Sequence, residues 1–518
     1  MAISKIKILI LKIRKIIKEK KIIDLIILAL FILGSFIVFL DLNKKIMPLD
    51  HYSGIYKEGV YENLIFNNPL SPNNETEKAI LKIIYPPLIE FDNGKIISKF
   101  IKNYSFSKDR LKIYIELKDN LKWSNGKPIT SDDIFFSFDF FKKHSNIGNS
   151  FNLKNLNINV IDQKKIEFNL EVTDNYFFYN LNNFNIFPQK EFSDLELDKF
   201  DIQKLKIGSG PFIFESLKNE GSIIVLTLKR NEFYKPRPFL KKIIFYSFPS
   251  VKSAFDALIL KQIDGLAGIN YLNLPKNVLF DYELKKIVLP RVIGIFFNSQ
   301  KISDQEIKNI DQFLDKKNLI KSVLKDNGEI TETIFSQTIR KVLGFKNQNL
   351  DNNPKTDNNP KTSTSSFEKI TLITSKSYFY PEIARYLKEN INLNFEILDS
   401  NKLEETILQK EYDGILYGFN FGHPPTLESF FSKIGYNINN TEDIELEKSF
   451  QQLSVEPNID FFKKLEEIEE KILEKKKNIF IVNPYYLILI RKNIKGFDQF
   501  YLSKPEDRFV KIQSWKIK

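Results

Sequence analysis

Residues Leu25 to Leu40 read LIILALFILGSFIVFL, sixteen positions without a charge, and no other feature constrains the chain as tightly. Extended from Ile22 to Leu42 the run covers twenty-one positions, about 31 Å of helix at 1.5 Å per residue, which is enough to cross a bilayer. Asp24 lies one turn inside the basic end of this span, where it stays at the interface. The first 21 residues hold eight Lys or Arg and a single acid, Glu19. Positive charge ahead of an apolar run places the N-terminus in the cytoplasm and everything after Asn43 outside. The run ends in FLDLNKK with no small-x-small cleavage step, so a single-pass anchor is expected in place of a removed leader. The expected layout is a basic cytoplasmic segment at 1–21, a transmembrane anchor at 22–42 and a spacer at 43–54.

The charge balance excludes one class of function. The formal charge is +12, but the first 21 residues supply +7, leaving +5 across the other 497. A body this weakly basic lacks the concentrated patch that phosphate recognition needs, so no nucleic-acid partner is expected. There are no cysteines, which removes disulfides, thiolate metal sites and Cys nucleophiles. His51, His144 and His423 are the only histidines and are too scattered for a His-based zinc site. No Gly-x-Ser-x-Gly turn occurs, and among 65 acids no catalytic pair stands out. An exported hydrolase is therefore disfavoured, and neither enzyme activity nor a cofactor is expected.

A length of 518 residues implies two or three domains. After the spacer, short β-rich runs alternate with helical ones, the pattern of an α/β protein. Strands are predicted at 112–117, 165–170, 223–228, 242–247 and 292–298, and helices at 131–143, capped by Thr130 or Ser131, and at 251–261. The direct repeat DNNPKTDNNPKT at 351–362, followed by TSTSS, reads as a flexible surface insertion within one lobe. Beyond it the predicted order is strand 369–374, helix 380–390, strand 393–398, helix 403–410 and strand 412–418, an alternation that implies parallel pairing. Phe461, Leu465, Ile468 and Ile472 recur at helical spacing and mark one buried face, with Glu467 and Lys471 placed to pair on the wet side.

Two stretches resemble a known family. LKDNLKWSNGKPITSDDIFFSFDFF (117–141) is similar to the strand, Trp-Ser-Asp-Gly-Lys-Pro turn and capped helix of the family 5 extracytoplasmic solute-binding proteins of ABC transporters, the oligopeptide, dipeptide and nickel-binding type. GSGPFIF (208–214), LKRNEFYKPRPFLKKIIFYSFPS (228–250) and SAFDALILKQIDGLAG (253–268) resemble later motifs of the same family in the same order. Weaker similarity covers IIYPPLIEF (83–91), IFPQKEF (186–192), IGIFFNSQ (293–300) and IFIVNPYYLILIRKNIKGF (479–497). The local physics assigns Trp123, Gly126 and Pro128 to a corner that touches no ligand. Gly208-Ser209-Gly210 is not a phosphate cradle, because Pro211 and a strand follow where a helix would be needed.

The resemblance implies a two-lobed periplasmic-binding-protein type II (class C) clamp behind an N-terminal transmembrane helix, closing by hinge bending around its ligand. Lobe one would comprise 55–288 plus 482–518 and lobe two 289–481, with an insertion at 351–365 and crossings near Pro290-Arg291 and Val482-Pro484. The implied partners are a peptide or other small solute, the permease subunits of an ABC transporter, and the membrane through the anchor. Carried over by position, the ligand-binding candidates are Tyr85, Asn298, Tyr417, Phe419, Asn420, Phe421 and His423. One departure matters: the family's Asp that binds a peptide's ammonium group is replaced by Phe421 or Gly422, and no carboxylate occurs between Asp413 and Glu428. Either another acid reaches in or the ligand lacks a free ammonium, since a buried unpaired ammonium is costly. Phe419, Phe421 and His423 have a plainer reading as cleft wall. The alternative function is a membrane-tethered scaffold or sensor that keeps the clamp without transport binding.

Overall fold

A computed structural model describes residues 54–144, 153–269, 274, 277–346 and 367–518. The basic segment, the 22–42 anchor, nearly all of the spacer and the 351–365 insertion lie outside the described residues. Among those described, no helix is long and apolar enough to cross a membrane.

The body opens on strand β1 (Ile55–Val60), followed by the short hairpin β2 (Glu90–Asp92) and β3 (Lys95–Ile97). Strands β4 (Ile101–Phe106), β5 (Lys112–Leu117), β6 (Leu156–Asp162) and β7 (Lys165–Leu170) form an antiparallel sheet in the order β4-β5-β7-β6. Strict alternation fixes the inner face of β5: Ile113, Ile115 and Leu117 are buried while Lys112 and Tyr114 face out. Strands β8 (Phe212–Glu220), β9 (Ile223–Arg230), β10 (Lys242–Ser247), β11 (Gly265–Ala267) and β12 (Tyr282–Ile287) follow. A second body holds β13 (Arg291–Phe297), β14 (Gly328–Ile330), β15 (Thr371–Ser375), β16 (Asn394–Leu398), β17 (Gly414–Asn420) and β18 (Asn478–Pro484) before β19 (Tyr486–Arg491) returns to the first. The first body's main sheet runs β12-β19-β11-β1-β10-β9-β8, and the second runs β14-β18-β13-β17-β15-β16.

Two lobes therefore share one chain through two crossings, Val288–Pro290 and Tyr485. The return crossing lies just after β18, so residues 482–484 stay with the second sheet and not with the first as the sequence implied. The parallel pairing expected after residue 369 is present, since β15 runs parallel to both β16 and β17. The helices Tyr380–Ile391 and Ser400–Gln409 make the connections.

The family-like motifs have structural causes. The Trp123 indole donates to Asp133 Oδ2 at 3.3 Å, and the two Asp133 oxygens also accept from the Thr130 and Gln189 amides at 3.0 and 3.1 Å. Asp133 thus knots the turn to the helix Ser131–His144. The Ser131 hydroxyl is not a cap, because it donates to the Asp162 carbonyl. Gly126 sits at φ +83, which the tight turn demands. In GSGP, the Ser209 and Gly210 amides both donate to the Ile84 carbonyl, 3.1 and 2.9 Å, terminating the helix Glu75–Ile84. A Cβ on Gly210 would lie 1.8 Å from the Ile83 carbonyl oxygen, so the glycine is there for close approach.

The helix Phe461–Glu474 buries Leu465, Ile468 and Ile472 as its spacing predicts, while Phe461, at its first position, is only half-buried. Its ion pairs differ from expectation: Glu467 faces Lys464 at 3.5 Å, and Lys471 turns toward Glu445 on the neighbouring helix. The same helix carries Glu469, fully buried, and Glu466, which together hold the guanidinium of Arg340.

Candidate functional site

In open α/β sheets, ligands collect outside the carboxyl ends of parallel strands, where loops splay away. On lobe one, β1 and β11 are parallel neighbours, so their ends bring Tyr61 and Gly268 together. The Tyr61 hydroxyl donates to the Gly268 carbonyl at 2.5 Å. On lobe two, β15 and β17 end beside the start of β13, because Arg291 pairs with Asn420 across the sheet. Both crossings join these two edges.

At the edge of lobe one stand Tyr61 and Glu75, backed by the buried Tyr486 and Arg508. Glu75 opens the helix Glu75–Ile84, whose amide end is capped by Asn74 accepting from the Glu77 amide. The Tyr486 hydroxyl donates to the Glu75 carboxylate, and Arg508 Nη1 bonds the same oxygen at 3.2 Å. Burial raises the Glu75 carboxyl above the usual range, opposed by Arg508 and by the Tyr486 hydrogen bond. Burial and the Glu75 charge push the Tyr61 phenol up to about 12. Glu62, the other acid here, is already engaged by the Thr76 amide at 3.0 Å.

Lobe two presents Arg291, Asn420, Tyr378, Tyr380 and Tyr417. Residues opposite one another in an antiparallel pair point to the same face, so Arg291 and Asn420 share a face with Ile293 and Gly418. A Cβ on Gly418 would lie 2.8 Å from the Tyr380 hydroxyl and 3.0 Å from Ile293, which sets that hydroxyl one strand step from Arg291. The Tyr380 and Tyr417 rings are stacked, 5.6 Å apart and 18° from parallel. Arg291 Nε donates to the Pro484 carbonyl at 3.0 Å, tying the first crossing to the second. Burial lowers the Arg291 pKa, while Tyr378, Tyr380, Tyr486 and Glu75 oppose that shift from both lobes.

The seven residues expected from the sequence divide. Tyr417 and Asn420 stand on the crossing edge. Phe419 and Phe421 are buried in the aromatic core of lobe two, against Phe296, Phe430 and Phe335. Tyr85 is fully buried in lobe one between Phe187 and Phe192, its hydroxyl on the Lys204 carbonyl. Asn298 follows the end of β13 farthest from the crossing, where its amide donates to the Lys410 and Tyr412 carbonyls. The structure thus does not gather Tyr85 or Asn298 with Tyr417.

His423 bridges the lobes. Its Nε2 donates to the Gly94 carbonyl and its Nδ1 accepts from the Tyr501 hydroxyl, each at 3.0 Å. The Phe91 ring meets it edge-on at 4.7 Å. Burial drops its pKa to about 4. Further interlobe bonds run from the Asn175 amide to the Leu453 and Glu456 carbonyls and from the Tyr176 hydroxyl to Pro425, so Ile55–Lys518 forms one compact unit.

Sequence reading did not single out Arg291 for this edge, nor Tyr61, Glu75, Tyr378, Tyr380 and Tyr486. An arginine at the head of the apolar strand RVIGIFF was the available signal. A small pocket lined by Lys82, Glu90, Tyr234, Asp507 and Gln513 belongs to lobe one alone, so lobe movement would not close on it. Among the described residues no three His, Asp or Glu side chains gather to hold a metal ion.

Comparison with known proteins agrees with the architecture. The oligopeptide-binding protein AppA of Bacillus subtilis is 21% identical over 458 residues, 77% of this chain and 80% of AppA. The nickel-binding periplasmic protein of Escherichia coli is 23% identical over 52% of this chain and 54% of its own. The structure of the ABC transporter substrate-binding protein CtaP from Listeria monocytogenes superposes with a TM-score of 0.71 at 18% identity, over 90% of this chain and 99% of CtaP. Residues 95–441 match the model of the family 5 middle region, and the chain belongs to the bacterial extracellular solute-binding proteins, family 5.

Proposed function

We propose that this chain is a membrane-anchored, extracytoplasmic receptor that captures peptides or a similar small solute and delivers it to an ABC transporter by closing its lobes. The observation that carries the reading is the meeting of two strand-end edges at the crossings, lined by Tyr61, Tyr486, Arg291, Tyr380 and Tyr417. A site fixed half on each lobe is completed only when the lobes approach, so a solute bound there favours the closed form, and the permease would read that form. AppA, named for oligopeptide binding, supports peptides as the ligand class. The apolar run at 22–42, preceded by eight bases, supports retention in the membrane with the body outside. On this reading lobe one is 55–288 with the C-terminal segment after the return crossing, and lobe two lies between the crossings.

Mass spectrometry of solutes released from the purified full-length chain tests the proposal. Mixed short peptides are expected, and adding them back at 100 times Kd should stabilise the chain by about 2.7 kcal/mol. A cleft that releases nothing and a chain that no peptide stabilises would favour the tethered scaffold. Extraction of the chain from membranes by alkaline carbonate would refute the anchor.

A further inference from the structure

We infer that Arg291 is an anion subsite between the lobes and that the bound solute presents a carboxylate to it. The inference rests on the solute-binding reading above and specifies what that site selects.

Five other described arginines face carboxylates. Arg230 and Arg237 share Glu232, Arg340 has Glu466 and Glu469, Arg491 has Asp264, and Arg508 has Glu58 and Glu75. Arg291 does not. Among the described residues its side chain makes one hydrogen bond, from Nε to the Pro484 carbonyl, and no carboxylate oxygen comes within the 4.0 Å of an ion pair. Glu75, the acid that acts on it from lobe one, is committed to Tyr486 and Arg508. The bond at Nε orients the guanidinium and leaves both terminal nitrogens free, the fork that grips a carboxylate through two parallel hydrogen bonds.

The surroundings favour an anion as well. Asn420 opposes Arg291 on the same sheet face, and its carboxamide oxygen is occupied by the Gly422 amide at 3.2 Å, leaving its NH2 to donate. The Tyr380 hydroxyl stands one strand step away. A half-buried cation among hydroxyls and carbonyls is costly unless a counter-charge arrives. A ligand carboxylate supplies that charge and, held by groups of lobe two beside Tyr486 of lobe one, would also draw the lobes together.

The probe is a pool of random pentapeptides without Asp or Glu, made once as free acids and once as C-terminal amides. Each is titrated calorimetrically into the full-length chain in detergent. Free acids are expected to bind about 10- to 100-fold more tightly than amides, the worth of a charge-assisted pair. Arg291→Gln should reduce the acids to the level of the amides, and Arg291→Lys, which keeps the charge but not the fork, should fall between. Equal binding of acids and amides by the unmodified chain would overturn the subsite while leaving peptide binding intact. Binding of neither pool would remove the peptide reading and the subsite with it. The acid-to-amide ratio needs no variant, so a folding defect at the crossing does not blunt the test.

Discussion

Lowering the pH should loosen the contact between the lobes through His423. The ring sits between Gly94 and Tyr501 with no carboxylate among its hydrogen-bond partners, and burial brings its pKa to about 4. An unfolded histidine titrates near 6.5. Because the folded value is the lower one, the neutral ring is favoured in the native state. Stability is then complete above about pH 6.5, is lost as the pH falls toward 4, and levels off below that. At pH 5 the two values give a loss of about 2 kcal/mol, and about 3.4 kcal/mol at the plateau, both upper figures because water screens a partly buried ring. Protonation also places a hydrogen on Nδ1, so the bond from the Tyr501 hydroxyl must reverse, with the Tyr501 oxygen accepting in place of donating. Urea unfolding at pH 7.5 and 5.0, for the native chain and for His423→Gln, isolates the effect. Gln keeps a donor for the Gly94 carbonyl and does not titrate, and other titrating groups cancel in the difference. The native chain should lose about 1–2 kcal/mol more than the variant on acidification. Parallel pH profiles would refute the account of His423 as a neutral interlobe donor.

Three further outcomes follow from the packing. Arg340→Met leaves Glu469 buried without its cation and should cost about 3–5 kcal/mol at pH 7.5. The loss should shrink at pH 5.5 as Glu469, already pushed up to about 7, takes a proton, and denaturation at the two pH values reads this directly. Gly210→Ala drives a Cβ into the Ile83 carbonyl and should abolish accumulation of folded protein, whereas Gly221→Ala, at φ +64 with nothing within 4 Å, should cost about 1 kcal/mol in urea unfolding. Gly422→Asp restores a carboxylate at one of the two positions where the family carries one. Its Cβ enters open space at φ +75, which Asp tolerates, so stability should change by about 1 kcal/mol or less. Calorimetry should then show free-amine peptides gaining about tenfold over N-acetylated ones, and no gain would mean that this position does not face the amine.

Local periodicity carried most of the fold. The alternation in KIYIEL and KIEFNL places β5 and β7 to the residue, and the strand–helix rhythm after Lys369 gives the parallel half of lobe two. These elements are legible because each buries a face that its own residues define. Glu469 was not legible. It lies on the apolar stripe of its helix, and only Arg340, 129 positions earlier, makes a charge tolerable there. The candidate site failed in the same way. Position along the chain marked Phe419 and Phe421, yet their rings satisfy the lobe-two core, while the tyrosines that line the crossing edge come from four separate segments.

The two anomalies at the crossing edge have one electrostatic consequence. The sequence shows a carboxylate missing between Asp413 and Glu428, which by itself suits either a lost site or a changed ligand. The structure shows an arginine, paired across the sheet with Asn420, that no described carboxylate answers. A site abandoned to drift has no reason to keep a half-buried, unpaired cation, because neutral side chains of similar volume are usually as stable or more so. With Phe421 and Gly422 in place of an acid, and Arg291 across the sheet from Asn420, the proposed subsite offers its guest a cation where the family offers an anion. Such a reversal selects against ammonium groups and for carboxylates, and it makes ligand charge, more than peptide length or side-chain identity, the property on which this receptor should discriminate.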